Sequence, residues 1–374
     1  MRNNNNQHAF YALLRAGLWA DSEKQVSLGG PVDWEDVYRQ ASEQAVLGLV
    51  LDGIDCLPYD QRPPKVLLQQ WIGEILMLER QNKEMNYFIS ELVDKMQKDG
   101  IYAILVKGQG VALYYDRPYW RTCGDIDLLL NKENYEKAKA LLLPLSSSSE
   151  NEATEVLHLG MTIDSWVVEL HGSLRSCCLP KMDKVIDMVV EDIFSCGNVR
   201  SWTIGNVPVL LPSPNNDVFI VFTHIIKHFF HKGIGLRQIC DWCRLLWSFN
   251  ETIDKVLLEK RLRKAGLLTE WNTFAAFAVE YLGMPVRAIP LYIPNDKWKR
   301  KACRINKIVL GTGNFGHNRD NDYYTTKLYL IRKIISLWRH TTDGTRQFSV
   351  FPLDSIEAYL NQVALGLKYV IMGN

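Results

Sequence analysis

Near Gly100 the spacing of apolar residues changes, and that change limits the folds open to this chain. In "KVLLQQWIGEILMLERQNKEMNYFISELVDKMQKDG" apolar residues recur every three or four positions, the period of a helix with one buried face, until Gly100 stops the run. Beyond it the apolar residues gather in short runs, "IYAILVKG", "DIDLLL" and "WVVELHGS", each bounded by glycine or polar residues as buried strands are. "QGVALYYD" and "NKENYEKAKALLLPL" between them read as helices, "SSSSENEAT" as a polar loop, and "VLHLGMTIDSWVVELHG" as a hairpin. From Ser213 helical signals return with "SPNNDVFIVFTHIIKHFFHKG", and no internal repeat is visible. The expectation is an α+β protein: a small mixed-sheet core over 84–212, flanked by an N-terminal helical region over 1–83 and a C-terminal helical domain over 213–374.

The 374 residues are 47% hydrophobic, enough to bury sizeable cores. A formal charge of +1 excludes a bulk electrostatic pull toward nucleic acid or an anionic membrane. No apolar run approaches the roughly 20 residues needed to span a bilayer, and "MRNNNNQHAF" lacks the apolar core of a signal peptide, so a cytoplasmic protein is expected. Eight scattered cysteines in a chain this long suit reduced thiols better than a disulfide framework.

The chemistry concentrates in "DIDLLL". Side chains alternate across a strand, so Asp125 and Asp127 emerge on one face with Cα atoms roughly 6.6 Å apart. Glu169 lies in the apolar middle of a later strand, where a carboxylate needs a partner. Taken alone, an Asp-x-Asp on a half-exposed strand is more often solvated than functional. With Glu169, the three carboxylates make an oxygen-donor set of the kind that prefers Mg²⁺ or Mn²⁺. Lys107 and Gly108 end one strand and open a helix, which puts an ammonium and backbone N–H groups where a triphosphate could dock.

"LVKGQGVALYYDRPYWRTCGDIDLLL", followed by "VVELHGSL", resembles a poorly characterised bacterial nucleotidyltransferase family within the DNA polymerase beta-like superfold, over roughly residues 70–345. The resemblance implies that Asp125 and Asp127 are catalytic metal ligands with Glu169 as the third carboxylate, and that Gly108 takes the place of the superfold's Gly-Ser turn. Here Gln109 replaces the serine, and the interval from Gly108 to Asp125 is longer than usual. Lys107, Gly108, Gln109 and Arg121 are the expected nucleotide-binding residues.

The other motifs point to structure. His224, His228 and His231 share one helix face, and Arg237 and Asp241 follow in "GLRQICDW"; they read as packing of helices against the sheet, with His171, His228, Arg237 and Asp241 available to orient ligands or wall the cleft. Cys240 and Cys243 have no second pair at zinc-finger spacing. "GTGNFG" leads into "HNRDNDYY", not into the helix a dinucleotide loop requires, and reads as a turn. The basic run Lys297 to Lys307 reads as a solvated helix face, with nucleic acid as the rarer alternative.

These readings converge on an enzyme that moves a nucleoside monophosphate from an NTP, ATP first, to an acceptor hydroxyl on a small molecule, a protein or an RNA, with Mg²⁺ or Mn²⁺ as cofactor. The alternative is a non-catalytic nucleotide-binding or interaction module that keeps the fold. On the sequence alone, Asp127→Asn is predicted to abolish transfer and leave melting nearly unchanged, because it relieves repulsion among carboxylates; thermal denaturation checks the second half.

Overall fold

The computed structural model describes residues 4–19, 26–231, 233–314 and 345–371. Helix α1 (Asn4–Trp19) crosses α3 (Leu47–Ile54) so closely that a methyl on Gly17 would collide with the Leu49 carbonyl, and one on Gly53 with that of Leu13. Between them α2 (Trp34–Glu43) starts at Asp33, whose carboxylate accepts the Asp36 N–H. Helix α4 (Lys65–Lys98) follows Pro64 and ends where Gly100 turns left-handed at φ 69°.

The chain then builds a seven-stranded mixed sheet in the order β3-β4-β5-β2-β1-β7-β6. Strand β1 (Ile104–Val106) leads through the short helix α5 (Gly108–Ala112) to β2 (Asp125–Leu129), and α6 (Lys132–Leu142), capped by Asn131, leads to β3 (Ser148–Ser149). The hairpin β4 (His158–Ile163) and β5 (Trp166–His171) follows, then α7 (Pro180–Ser195) and a second hairpin, β6 (Val199–Ile204) and β7 (Val207–Pro212). β1 runs parallel to β7 and β2 parallel to β5; the remaining pairs are antiparallel.

Alternation gives the sheet two unlike faces. Leu105, Ile126, Leu128, Val168, Leu170, Val209 and Leu211 pack with Met85, Ile89, Leu92 and Met96 of α4 and with Tyr135 and Ala138 of α6. Ile104, Val106 and Leu129 face a larger core shared with α8 (Pro214–Phe230), α9 (Leu236–Ser248), α10 (Lys255–Ala265), α11 (Leu268–Leu282) and α12 (Asp296–Thr312). The protein is therefore α+β, a mixed sheet flanked by helices. No helix among the described residues is long and apolar enough to cross a membrane.

The boundary expected at residue 84 falls inside α4, because this one helix serves both cores: Trp71 and Ile75 enter the larger, Met85 to Met96 the smaller. Nor do the first and last helices form separate bodies. The Trp19 indole donates to the Leu282 carbonyl at 2.6 Å, the Gln44 amide to the Val309 carbonyl at 2.9 Å, and the Tyr11 hydroxyl to Asn306. Two serines of the expected polar loop form edge strand β3, paired with β4. The Lys297 to Lys307 run lies on α12 with Lys297, Lys299, Arg300, Arg304 and Lys307 exposed opposite buried Ala302 and Ile305. Gly311 and Thr312 end that helix; Phe315, Gly316 and "HNRDNDYY" lie outside the described residues.

Glu270, in the first turn of α11, is fully buried beside the Asp354 carboxyl. Burial first, and the nearby Asp354 carboxyl second, push its pKa well above the ordinary value. A group raised in the fold stabilises fully below its unfolded pKa and loses that contribution as pH climbs through the folded one. Glu270→Gln should therefore melt close to the parent near pH 4 and be more stable by about 1–3 kcal/mol near pH 8, checked by denaturant titration at both pH values.

Candidate functional site

Strand register places the carboxylates. In the parallel β2–β5 pair Asp127 stands beside Glu169, and Asp125 sits two residues before Asp127 on the same face. That face is the one turned toward α8 and α9, and between sheet and helices lies a cleft of about 560 Å³. Lys107, Asp125, Asp127, His158, Glu169 and His171 line its sheet side; His224, Lys227 and His228 of α8 and Arg237 and Asp241 of α9 line the other.

Lys107 is the electrostatic centre. Its backbone is left-handed, φ 59°, as the chain turns from β1 into α5, and its ammonium pairs with Asp127 at 2.7 Å. Burial alone would lower the lysine pKa, but the charges of Asp127 and then Asp125 outweigh it and raise the group above its ordinary value. Asp127, fully buried, takes a second bond from His171 Nε2 at 2.7 Å; Lys107 and His171 overcome the burial penalty and hold it below the usual carboxylate range. Glu169 meets His158 Nε2 at 3.1 Å and His171 Nε2 at 3.4 Å, and these contacts, against burial, lower its pKa as well. Asp125 moves the other way: burial and then the charge of Asp127 raise it, so this carboxylate lacks a counter-cation of its own.

Gly108, at φ 38°, lines the cleft, and the floor beneath it is close, since a Cβ there would meet the Asp125 carbonyl and the Cys123 sulfur at 3.4 Å. Gln109 does not line the cleft, which corrects its expected nucleotide contact: its amide points into α4, to Asn82 Oδ1 at 2.8 Å and the Met85 sulfur at 3.3 Å. Asn82 in turn donates to the Tyr119 and Arg121 carbonyls at 2.7 and 2.9 Å, so this polar cluster shapes the loop before β2.

Arg121 borders the cleft, but its guanidinium is committed. Nε and Nη2 each donate to Asp241 at 2.7 Å and Nη1 to the Thr122 carbonyl, while the Tyr115 hydroxyl donates to the same aspartate at 2.7 Å. The expected phosphate ligand is instead the bolt between the β2 loop and α9, because a buried Asp241 must be neutralised. Arg237 Nη1 donates to the Thr122 carbonyl at 2.8 Å. His228 packs against His224 at 4.2 Å between ring centroids, and burial pushes the His224 pKa well down.

Two cleft residues escaped the sequence reading. Lys227 shares the helical stripe of His224 and His228, and burial followed by Lys107 lowers its ammonium pKa; no ion pair among the described residues satisfies it. Its signal was the spacing i, i+3, i+4 with the histidines. His158 is set by the β4–β5 hairpin: Asp164 and Ser165, both at positive φ, make a two-residue turn, and the register then brings His158 opposite His171. Counting back from "DS" would have found it.

The ligand atoms of His158, Glu169 and His171 lie within 4.8 Å of one another. Next to the cleft is a second cavity of about 740 Å³, which shares Val156 and Arg175 with it. Cys240 and Cys243 are buried in the larger core with burial raising both thiols, an apolar setting unlike a zinc site, and no disulfide involves any of the eight cysteines.

A family model described as "uncharacterised nucleotidyltransferase" matches residues 30–283, about two thirds of the chain, from α2 to the end of α11. No curated protein and no solved structure gives a significant match.

The Lys107–Asp127–His171 cluster revises the expectation for Asp127→Asn. Removing that charge strands a buried ammonium, so in metal-free buffer the variant should lose about 3 kcal/mol or more. Asp125→Asn, which relieves repulsion, should hold or gain stability. Paired denaturation curves check the opposite signs; equal losses would refute the asymmetry.

Proposed function

The chain belongs to a family of uncharacterised nucleotidyltransferases, and from that premise we propose that the cleft carries a nucleoside monophosphate from an NTP to an acceptor hydroxyl, releasing pyrophosphate. The observation that carries this reading is three carboxylates on one sheet face, in a nucleotide-sized cleft, facing Lys227 of α8.

Asp125, Asp127 and Glu169 would supply the oxygen donors for Mg²⁺ or Mn²⁺, and the aspartates would have to turn toward the ion, because among the described residues the ligand atoms already gathered within 4.8 Å are those of His158, Glu169 and His171. When bound, a divalent ion would neutralise phosphate charge and favour ionisation of the attacking hydroxyl. The chain's own groups do the rest. Lys107 and Lys227 face each other across the cleft and offset the triphosphate's charge, ATP being the first candidate. Gly108 lets the phosphates approach the backbone. The Arg121–Asp241 pair and the Arg237 bond to Thr122 hold sheet and helices at a fixed separation, so the reacting groups meet in line.

The adjoining cavity, entered past Val156 and Arg175, is where an acceptor would approach. A small molecule, a protein side chain and an RNA end all remain candidates for it. A non-catalytic module would leave one buried and two half-buried carboxylates without a task.

Pyrophosphate release from each of four NTPs with Mg²⁺, in the presence of fractionated cell extract, tests the reading; release should vanish in Asp125→Asn. Lys227→Met should raise KM for the NTP at least tenfold, and Lys227→Arg should recover most of it. If both variants match the parent, Lys227 does not touch the phosphates.

A further inference from the structure

The cleft holds a second donor set whose chemistry differs from that of the aspartates. The type of turn at Asp164 and Ser165 fixes His158 opposite His171, with ring centroids 4.8 Å apart. His158 Nε2 meets Glu169 Oε2 at 3.1 Å, and His171 Nε2, which bonds to Asp127 at 2.7 Å, lies 3.4 Å from the same glutamate oxygen. The three ligand atoms of His158, Glu169 and His171 lie within 4.8 Å of one another, close enough that small side-chain turns would bring them onto a single ion with bonds near 2.0–2.2 Å.

His171 is buried, whereas the side chains of His158 and Glu169 are 28% and 27% exposed. The set is therefore anchored on its inner side and open on the cleft side. Three protein ligands with open positions is the pattern of a site that also takes water or substrate.

We propose that His158, Glu169 and His171 form a site for a first-row transition dication such as Zn²⁺, Co²⁺ or Mn²⁺, in preference to Mg²⁺. Two imidazole nitrogens are poor ligands for Mg²⁺, which demands oxygen, and good ligands for borderline ions. To bind, each imidazole gives its Nε2 lone pair to the metal as the neutral tautomer that carries its hydrogen on Nδ1, in place of its contact with a carboxylate oxygen. Asp127, 2.7 Å from His171 Nε2, remains beside the bound ion and adds negative charge to it. The site's use in catalysis rests on the transfer reading above; its existence does not.

The test uses the full chain stripped of metal, without nucleotide. Co²⁺ should give visible absorption bands of a nitrogen-ligated, low-coordinate ion, and Zn²⁺, followed by competition with a chromophoric chelator, should bind at least a hundredfold more tightly than Mg²⁺. His158→Gln should weaken Zn²⁺ at least tenfold and bleach the Co²⁺ bands. His8→Gln, which removes a histidine outside the cleft, is the control and should keep both. Should His158→Gln misfold, Glu169→Gln gives the same readout from the third ligand. Zn²⁺ affinity indifferent to both His158 and Glu169 overturns the site, even if Mg²⁺-supported transfer is found. Zn²⁺ binding through His158 with no transfer from any NTP leaves the site standing and defeats the transfer reading.

Discussion

Charge compensation in a dry place governs this molecule. Three carboxylates and two lysines share a cleft between sheet and helices, and where such groups are buried, as Asp127 is, like charges repel and opposite charges attract several times more strongly than at the surface. Lys107 answers Asp127, His171 answers both Asp127 and Glu169, and Asp125 is left with the deficit. The left-handed backbone of Lys107, a conformation costing on the order of 1 kcal/mol, is tolerated because it delivers the ammonium there. Much of the surrounding fold, from the glycine turn to the helical wall, keeps that patch enclosed.

The periodicity change at Gly100 made the two kinds of structure legible, and alternation made the Asp125–Asp127 face legible, because both rest on local geometry. The hairpin over 158–171 was equally readable. What the sequence could not reveal was the direction in which polar side chains turn. Gln109 follows Gly108 directly, yet one residue of helical rotation sends it into α4 instead of the cleft. Arg121 lies near the carboxylates in sequence, but its partner Asp241 is 120 residues away and becomes visible only once α9 is folded against the sheet. Lys227 was hidden for a related reason. A lysine on a histidine-rich helix reads as solvated until the opposite wall is known.

The long helical tail is likewise not an appendage. The N-terminal helices and those after Ser213 meet through buried polar bonds such as Gln44 with the Leu236 amide at 3.0 Å and the Val309 carbonyl. The cleft itself is lined by residues between Lys107 and Asp241, and its width is set by the Arg121–Asp241–Tyr115 cluster at the seam.

Helix α4 has a consequence for how the molecule comes apart. Its first half belongs to one apolar core and its second half to the other, with Asn82, fully buried, at the junction. Neither core can dissolve while the other persists without fraying a 34-residue rod from its middle, where helix hydrogen bonds are least easily surrendered. Loss of structure in either layer is felt by the other through the helix they share.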